Sequence, residues 1–220
     1  DCLIYNFKSF MHDGGAMYQF AGDSTVYRNN VVICDPAKKI EGWTYYFDEQ
    51  SKNCIAENNL ALNTIVPMHN HMAKNIIFRN NIFIDQGKQE LSNFLCSDVV
   101  FEKNIAMADS IYLKAPREGL AEEMKFDSSD LPELKRSFIH ANGFIRLADN
   151  IFQSRRQKII HQELILYTPY KIVEVEPQEG TLFADPMFEN VAEGNFAFKP
   201  DSPAKGTGIV QLDFSDAGCT

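Results

Sequence analysis

Ile76-Ile-Phe-Arg-Asn-Asn81-Ile-Phe-Ile84 joins a β-rich run, an asparagine and a second apolar run, and the same order of residue types returns along the chain. It occurs as Val26-Tyr-Arg-Asn-Asn30-Val-Val-Ile33 and Cys54-Ile-Ala-Glu-Asn-Asn59-Leu-Ala-Leu62 on one side of this stretch. On the other side stand Val99-Val-Phe-Glu-Lys-Asn104-Ile-Ala-Met107 and Ile145-Arg-Leu-Ala-Asp-Asn150-Ile-Phe152. Successive marker asparagines lie 29, 22, 23 and 46 residues apart. The last step is twice 23, so the spacing predicts one longer coil at the start and one coil lost in an irregular segment.

A period of 22 to 23 residues built from three short β segments suits one turn of a parallel β-helix, each coil adding a strand to each of three sheets about 4.8 Å from the last. The repeated Asn has a role there: it tolerates the left-handed backbone of a tight turn, and its amide can bond the same Asn one coil away. Asn30, Asn59, Asn81, Asn104 and Asn150 are expected to stack as a ladder. A leucine-rich repeat would need a Leu scaffold that is missing, and a β-sandwich has no reason to keep the asparagines in phase. The expected fold is all-β, a right-handed single-stranded parallel β-helix forming one domain over 1–220. Ile77, Ile82 and Phe83 are read as core candidates, with Ile77→Ala costing about 2–5 kcal/mol.

Residues from about 109 to 141 break the repeat, and are read as a lateral insertion with a short helix. Glu118-Gly-Leu-Ala-Glu-Glu-Met-Lys125 carries helix formers, and Ser129 or Asp130 is a plausible N-cap ahead of Pro132. Glu163-Leu-Ile-Leu-Tyr167 and Lys171-Ile-Val-Glu-Val175 are strand-like, either a hairpin or the outer strands of late coils.

The formal charge of −9 and the pI near 5.0, with no Lys/Arg-rich run, exclude nucleic acid as an expected partner and favour a neutral glycan over a polyanionic one. The five Cys show no C-x-x-C pair and no zinc-type spacing, so they read as small buried apolar residues rather than a disulfide framework. No apolar run approaches the roughly 20 residues of a membrane span, and the opening residues lack a signal-peptide pattern. Cys2-Leu-Ile-Tyr5 reads as a strand already under way, which places the expected N-terminus, and any secretion signal, upstream.

Two sets of residues carry a resemblance. Asp185-Pro-Met-Phe188, Gly194-Asn-Phe-Ala-Phe-Lys-Pro200, Asp201-Ser-Pro-Ala204 and Gly206-Thr-Gly208 resemble the closing coil of carbohydrate-active parallel β-helix proteins. More specifically, His12-Asp13-Gly14-Gly15-Ala16-Met17-Tyr18, Gly42-Trp43-Thr-Tyr-Tyr-Phe-Asp48-Glu49-Gln-Ser51, His69-Asn70-His71 and Asn80-Asn81-Ile-Phe83 resemble β-helix (pectin-lyase-like) glycoside hydrolases of the β-xylosidase and α-fucosidase or xylanase types. In that group an Asp-Gly-Gly-Ala-Ile-Tyr-like turn and a Tyr-Leu-Asp-Glu-Gly-Ser-like strand end line the cleft and carry its acids. Met17, Phe47 and Gln50 depart from the pattern, and Gln50 in place of Gly is expected to alter the turn after Asp48. The resemblance implies Asp13, Asp48 and Glu49 as catalytic residues, and His12, Tyr18, Trp43, Tyr46, His69, Asn70 and His71 as substrate-binding residues. It also implies an extracellular or periplasmic setting.

The residues themselves converge on the same place. Strand alternation puts Trp43, Tyr45 and Phe47 on one face, taken as the core, and Thr44, Tyr46 and Asp48 on the other. Asp48 and Asn70 both stand 11 before their marker Asn, and Glu49 and His71 both 10, which predicts Asn70 over Asp48 and His71 over Glu49. Glycoside hydrolysis needs two carboxyl groups, and Asp13 with Asp48 or Glu49 could supply them, with His69 or His71 tuning the acid. Asp13 reads equally as an Asp-Gly turn and Asp48-Glu49 as a solvated strand end. His69 and His71 share a strand face but lack third and fourth ligands, so no metal or other cofactor is expected, and a structural Ca²⁺ is not indicated. The expected partner is an oligosaccharide or polysaccharide bound by a monomer; the rival function is a non-catalytic glycan-binding or structural module. Lyase chemistry is disfavoured because no Asp cluster with an accompanying basic residue occurs in the repeats.

Overall fold

In the computed structural model, the described residues are 1–7, 13–37, 42–123, 141–165, 168–175 and 178–218. The chain runs through β1 (Leu3–Tyr5), β2 (Gly15–Gln19) and β3 (Val26–Arg28), then through β4 (Val31–Ile33), β5 (Trp43–Phe47) and β6 (Lys52–Glu57). The cycle repeats in β7 (Leu60–Leu62), β8 (Val66–His71) and β9 (Lys74–Arg79), in β10 (Ile82–Ile84), β11 (Lys88–Phe94) and β12 (Ser97–Glu102), and in β13 (Ile105–Ala108), β14 (Ser110–Ala115) and β15 (Phe144–Ala148). It ends with β16 (Ile151–Ser154), β17 (Ile159–Ile165), β18 (Thr168–Val175) and β19 (Leu182–Phe183). From β1 to β14, and again for β16, each strand pairs with the strand three further on. The first sheet is β1-β4-β7-β10-β13-β16-β19, the second β2-β5-β8-β11-β14-β17-β18 and the third β3-β6-β9-β12-β15. All of these pairings are parallel except β17 with β18. The protein is thus all-β with long parallel sheets, consistent with a parallel β-helix. No helix among the described residues is long and apolar enough to cross a membrane.

The asparagine ladder forms as expected. From Asn59 onward each marker Oδ1 accepts both the backbone N–H and the Nδ2–H of the asparagine one coil earlier, with Nδ2 distances of 2.9 Å for Asn30 to Asn59, Asn59 to Asn81 and Asn81 to Asn104, and 3.3 Å for Asn104 to Asn150. From Asn59 onward the second amide hydrogen goes to a main-chain carbonyl of the preceding coil, that of Tyr27, Ala56, Phe78 or Phe101. The ladder amides therefore have their hydrogen bonds made, which is what lets them stay buried. One detail differs from the sequence reading. The left-handed residue of the turn is the one before each marker: Asn29, Asn58, Asn80, Lys103 and Asp149 have φ of 52° to 56°. The marker stays free to aim its amide along the stack.

The long step from Asn104 to Asn150 hides no lost coil, because the two amides bond directly and β13 pairs with β16. The extra residues fall between β14 and β15, so the insertion starts after Ala115 rather than at 109. Ser110–Ala115 is a regular strand of the second sheet, paired to β11 and β17. The excursion opens with the short helix α1 (Leu120–Glu123), where Arg117 pairs with Glu123 and, at 3.0 Å, with Glu163. Ser129, Asp130 and Pro132 lie outside the described residues. The segment after it resolves into a hairpin in which β17 continues the second sheet and β18 closes it antiparallel.

Two cores result. The interior holds Tyr45, Phe47, Ile76, Phe78, Phe83, Phe101 and Phe152, all at 0% exposure. Ile82 is buried as well, but in the second core: Val31, Leu60, Ile82, Ile105 and Ile151 form one aliphatic row on the outside of the first sheet. The C-terminal segment covers that row with Phe188 and Phe196 from the hairpin β20 (Phe188–Asn190) and β21 (Asn195–Phe198), with Ala204 of helix α2 (Ala204–Thr207), and with Ile209. Ile77 is not in either core. It faces outward on the third sheet, half-buried, between the buried Ile76 and Phe78, because the two-residue strand period allows only alternate side chains inside. Cys34, Cys54 and Cys96 are buried free thiols and Cys2 is an exposed one.

Candidate functional site on the second sheet

The first turn brings the chain to the site. Asp13 accepts the Gly14 N–H on Oδ1 at 2.6 Å, and Gly14 has φ of +95°, a conformation that favours glycine. Gly15 follows because of space: a Cβ there would stand 3.0 Å from the Trp43 carbonyl oxygen and 3.1 Å from Tyr46 Cβ. The pair of glycines thus lets β2 lie close against β5 and sets Tyr18 beside Tyr46.

On the outer face of the second sheet one row runs Tyr18, Tyr46, His69, Ser92 in register. Tyr18 packs edge-on to Tyr46 at 5.1 Å, Tyr46 edge-on to His69 at 4.6 Å, and Phe94 edge-on to His69 at 5.1 Å. His69 Nδ1 lies 2.6 Å from Ser92 Oγ. Trp43 was expected in the core with Tyr45 and Phe47. Instead its ring stacks on His69 at 4.2 Å and meets Tyr46 at 4.9 Å. Trp43 is the first residue of its strand, opposite side-chain-free Gly15, where the neighbour that would enforce the pleat is missing.

Asp48 directly follows β5, beside this row. Its side chain is 15% exposed, accepts the Tyr18 hydroxyl on Oδ2 at 2.8 Å, and faces His71 Nδ1 from Oδ1 at 3.1 Å. A carboxylate only accepts, so Nδ1 carries the imidazole proton. Burial alone would raise the Asp48 pKa, but hydrogen bonds from Tyr46, Tyr18, the Glu49 main chain and His71 bring it below the usual aspartate value. The effect is mutual. Burial of its hydroxyl, then the hydrogen bond and charge of Asp48, raise Tyr18 to about 12, and the charge of Asp13 is felt by both Tyr18 and Tyr46.

The register corrects the predicted stacking. Tyr46 pairs with His69 and Phe47 with Asn70, so His71, not Asn70, stands beside Asp48. The count from the asparagine markers slipped because the Asp48–Ser51 turn holds one more residue than its counterpart. Gln50 and Met72 are the left-handed residues of the two turns, with φ of 63° and 47°, and Glu49 is the extra residue between Asp48 and Gln50. Glu49 lies 3.9 Å from His71 Nδ1 with its side chain 42% exposed. Asn70 points inward in the file of Phe47, fully buried, and donates to Asn93 Oδ1 at 2.6 Å. It is therefore an interior residue that cannot touch a ligand on this face.

The structure thus gathers Tyr18, Trp43, Tyr46, Asp48, Glu49, His69 and His71 in one place, with Asp13 close enough for its charge to act there. His12 lies outside the described residues. Ser92 and Phe94 belong to the site and were overlooked, although each stands 23 residues, one period, after His69 and His71. Farther along the same face Glu90 is paired with Lys88 and, at 2.6 Å, with Lys114; burial pushes its carboxyl up, but the two ammonium groups hold it low. Among the described residues no cluster of three or more His, Cys, Asp or Glu is arranged to hold a metal ion. No protein-family model, curated protein or solved structure matches the chain.

Proposed function

We propose that the three sheets close into a right-handed parallel β-helix and that the outer face of its second sheet binds a neutral glycan, on which the protein acts as a glycoside hydrolase. The strict cycling of the chain through three parallel sheets supports closure, and parallel crossovers are almost always right-handed. The observation that carries the functional reading is Asp48, a carboxylate held ionised among aromatic rings, with Glu49 next to it in the chain and the charge of Asp13 felt by Tyr18 and Tyr46. Aromatic faces stack on the C–H faces of sugars while a carboxylate takes their hydroxyls. An ionised carboxylate serves as nucleophile or base and cannot protonate a leaving oxygen, so the proton donor in this mechanism is Glu49 or Asp13. In this reading the protein works as a monomer outside the cytoplasm.

Asp48→Asn is the direct test, scored by release of reducing ends from a panel of neutral oligosaccharides. Loss of most turnover with an unchanged melting curve supports hydrolysis. One observation favours the second reading, a non-catalytic glycan-binding surface: both Asp48 oxygens already accept hydrogen bonds from protein donors. Saccharide binding without turnover in the wild type would favour that reading, and a wild type that neither binds nor cleaves any member of the panel would refute both.

A further inference from the structure

A second row runs beside the first, one strand position further along. His71 is in register with Phe94, and Asp48 stands beside His71. In the first coil the Asp48 N–H bonds the Gln19 carbonyl and the Ala21 N–H bonds the Glu49 carbonyl, at 2.9 and 2.8 Å, which sets Phe20 next to Asp48. Phe20 lies two residues beyond Tyr18, just past the end of β2, where these two bonds carry the strand pairing, and with it the outward alternation, one step further. The row therefore reads Phe20, Asp48, His71, Phe94 over four successive coils. It puts a carboxylate–imidazole pair in the middle and a phenyl ring at each end. Phe20 is 55% exposed although it is a large apolar side chain, and Phe94 is half-buried.

We infer that this row is the floor of a binding track for an unbranched neutral oligosaccharide lying along the stack, with one sugar ring against Phe20, another against Phe94, and the units that join them over Asp48 and His71. The inference rests on the carbohydrate reading above and narrows it. Phenyl rings three strand steps apart, about 14–15 Å, flank the polar pair on both sides, so the track takes the interior of a chain rather than its terminus. Phe20 and Phe94 act as specificity-determining residues: they reward length and have no part in bond breaking.

The test is calorimetric titration of linear xylo- and gluco-oligosaccharides of one to six units into the wild type and into Asp48→Asn, which removes interference from turnover. Affinity should climb over the first few units and then level off. Phe20→Ala and Phe94→Leu should each weaken binding of the longer chains about two- to tenfold, with a smaller effect on the monosaccharide, which can occupy the ring that remains. Phe20→Ala alters an exposed side chain, and Phe94→Leu keeps apolar packing against His69, so matched circular dichroism melts are expected for both. Saccharide binding that ignores length, or is the same in both variants as in the wild type, overturns the track but leaves the carbohydrate reading in place. Absence of binding by every saccharide overturns both.

Discussion

At the scale of single residues, the candidate site is built around one carboxylate and its donors. Asp48 has a lowered pKa in the folded chain, so its contribution to stability is present above the unfolded value of about 3.9 and is lost as pH falls through the folded value. Acid unfolding followed by circular dichroism should therefore be steeper in the wild type than in Asp48→Asn. Tyr18 reports from the other side of the same hydrogen bond. Its phenol should ionise near 12 in an ultraviolet titration, and Asp48→Asn should bring it part of the way back toward 10, since burial of the hydroxyl remains. The ladder asparagines carry the larger stake. Asn81→Ala would leave the Asn59 N–H and Nδ2–H without their acceptor in a dry interior. At about 1–3 kcal/mol for each stranded donor, denaturant unfolding should show a loss of about 2–6 kcal/mol.

At the scale of elements, the strand period decides what each substitution does. Ile76 and Ile77 are neighbours of the same type on β9, yet Ile76 is fully buried against Phe78 and Cys54 while Ile77 faces outward. Ile76→Ala should cost about 2–5 kcal/mol, whereas Ile77→Ala should cost less than half of that, measured side by side in urea. Equal costs would contradict the register of the third sheet. Turns matter as much as strands. Gln50 occupies a left-handed conformation that penalises any residue with a Cβ, and the extra residue Glu49 precedes it. That one insertion shifts every pairing inferred by counting through the turn, which explains why the partner of Asp48 is His71.

At the scale of the whole molecule, the C-terminal segment acts as a strap. After α2 the chain buries Ile209, bonds Asn80 Oδ1 through the Val210 N–H at 2.8 Å, and lays Leu212, Phe214 and Ala217 against the outer row of the first sheet. Ending the chain after Thr207 would strip Ile209, Leu212, Phe214 and Ala217 from the outer row and open part of it to water. Burial of Ile209 alone is worth about 1.5–3 kcal/mol, so the truncated chain should lose at least that in denaturant unfolding and should bind a hydrophobic dye. Cys34, Cys54 and Cys96, sealed inside the stack, should stay unreactive toward thiol reagents until the truncated or intact chain unfolds.

Period and residue type were enough to specify the repeating part of this protein. A step of 22 to 23 residues with an asparagine in fixed phase predicts three stacked sheets and the ladder, because only equal coil lengths let identical side chains meet one strand apart. The same phase held the keys to Ser92 and Phe94. Whatever depends on a single residue of slack escaped it. The position of Asn70 and the partner of Asp48 were decided by tertiary structure, because one extra residue in a turn shifts every pairing counted through it to the neighbouring side chain, which points to the opposite face; the ring of Trp43, set opposite Gly15, and the start of the excursion after Ala115 depend on strand neighbours that only the folded chain supplies. The outer apolar row was likewise written in the strands as Val31, Leu60, Ile82, Ile105 and Ile151, but only the folded tail decides that it is a second core rather than an exposed stripe, since burial belongs to the assembled surfaces and not to any segment alone.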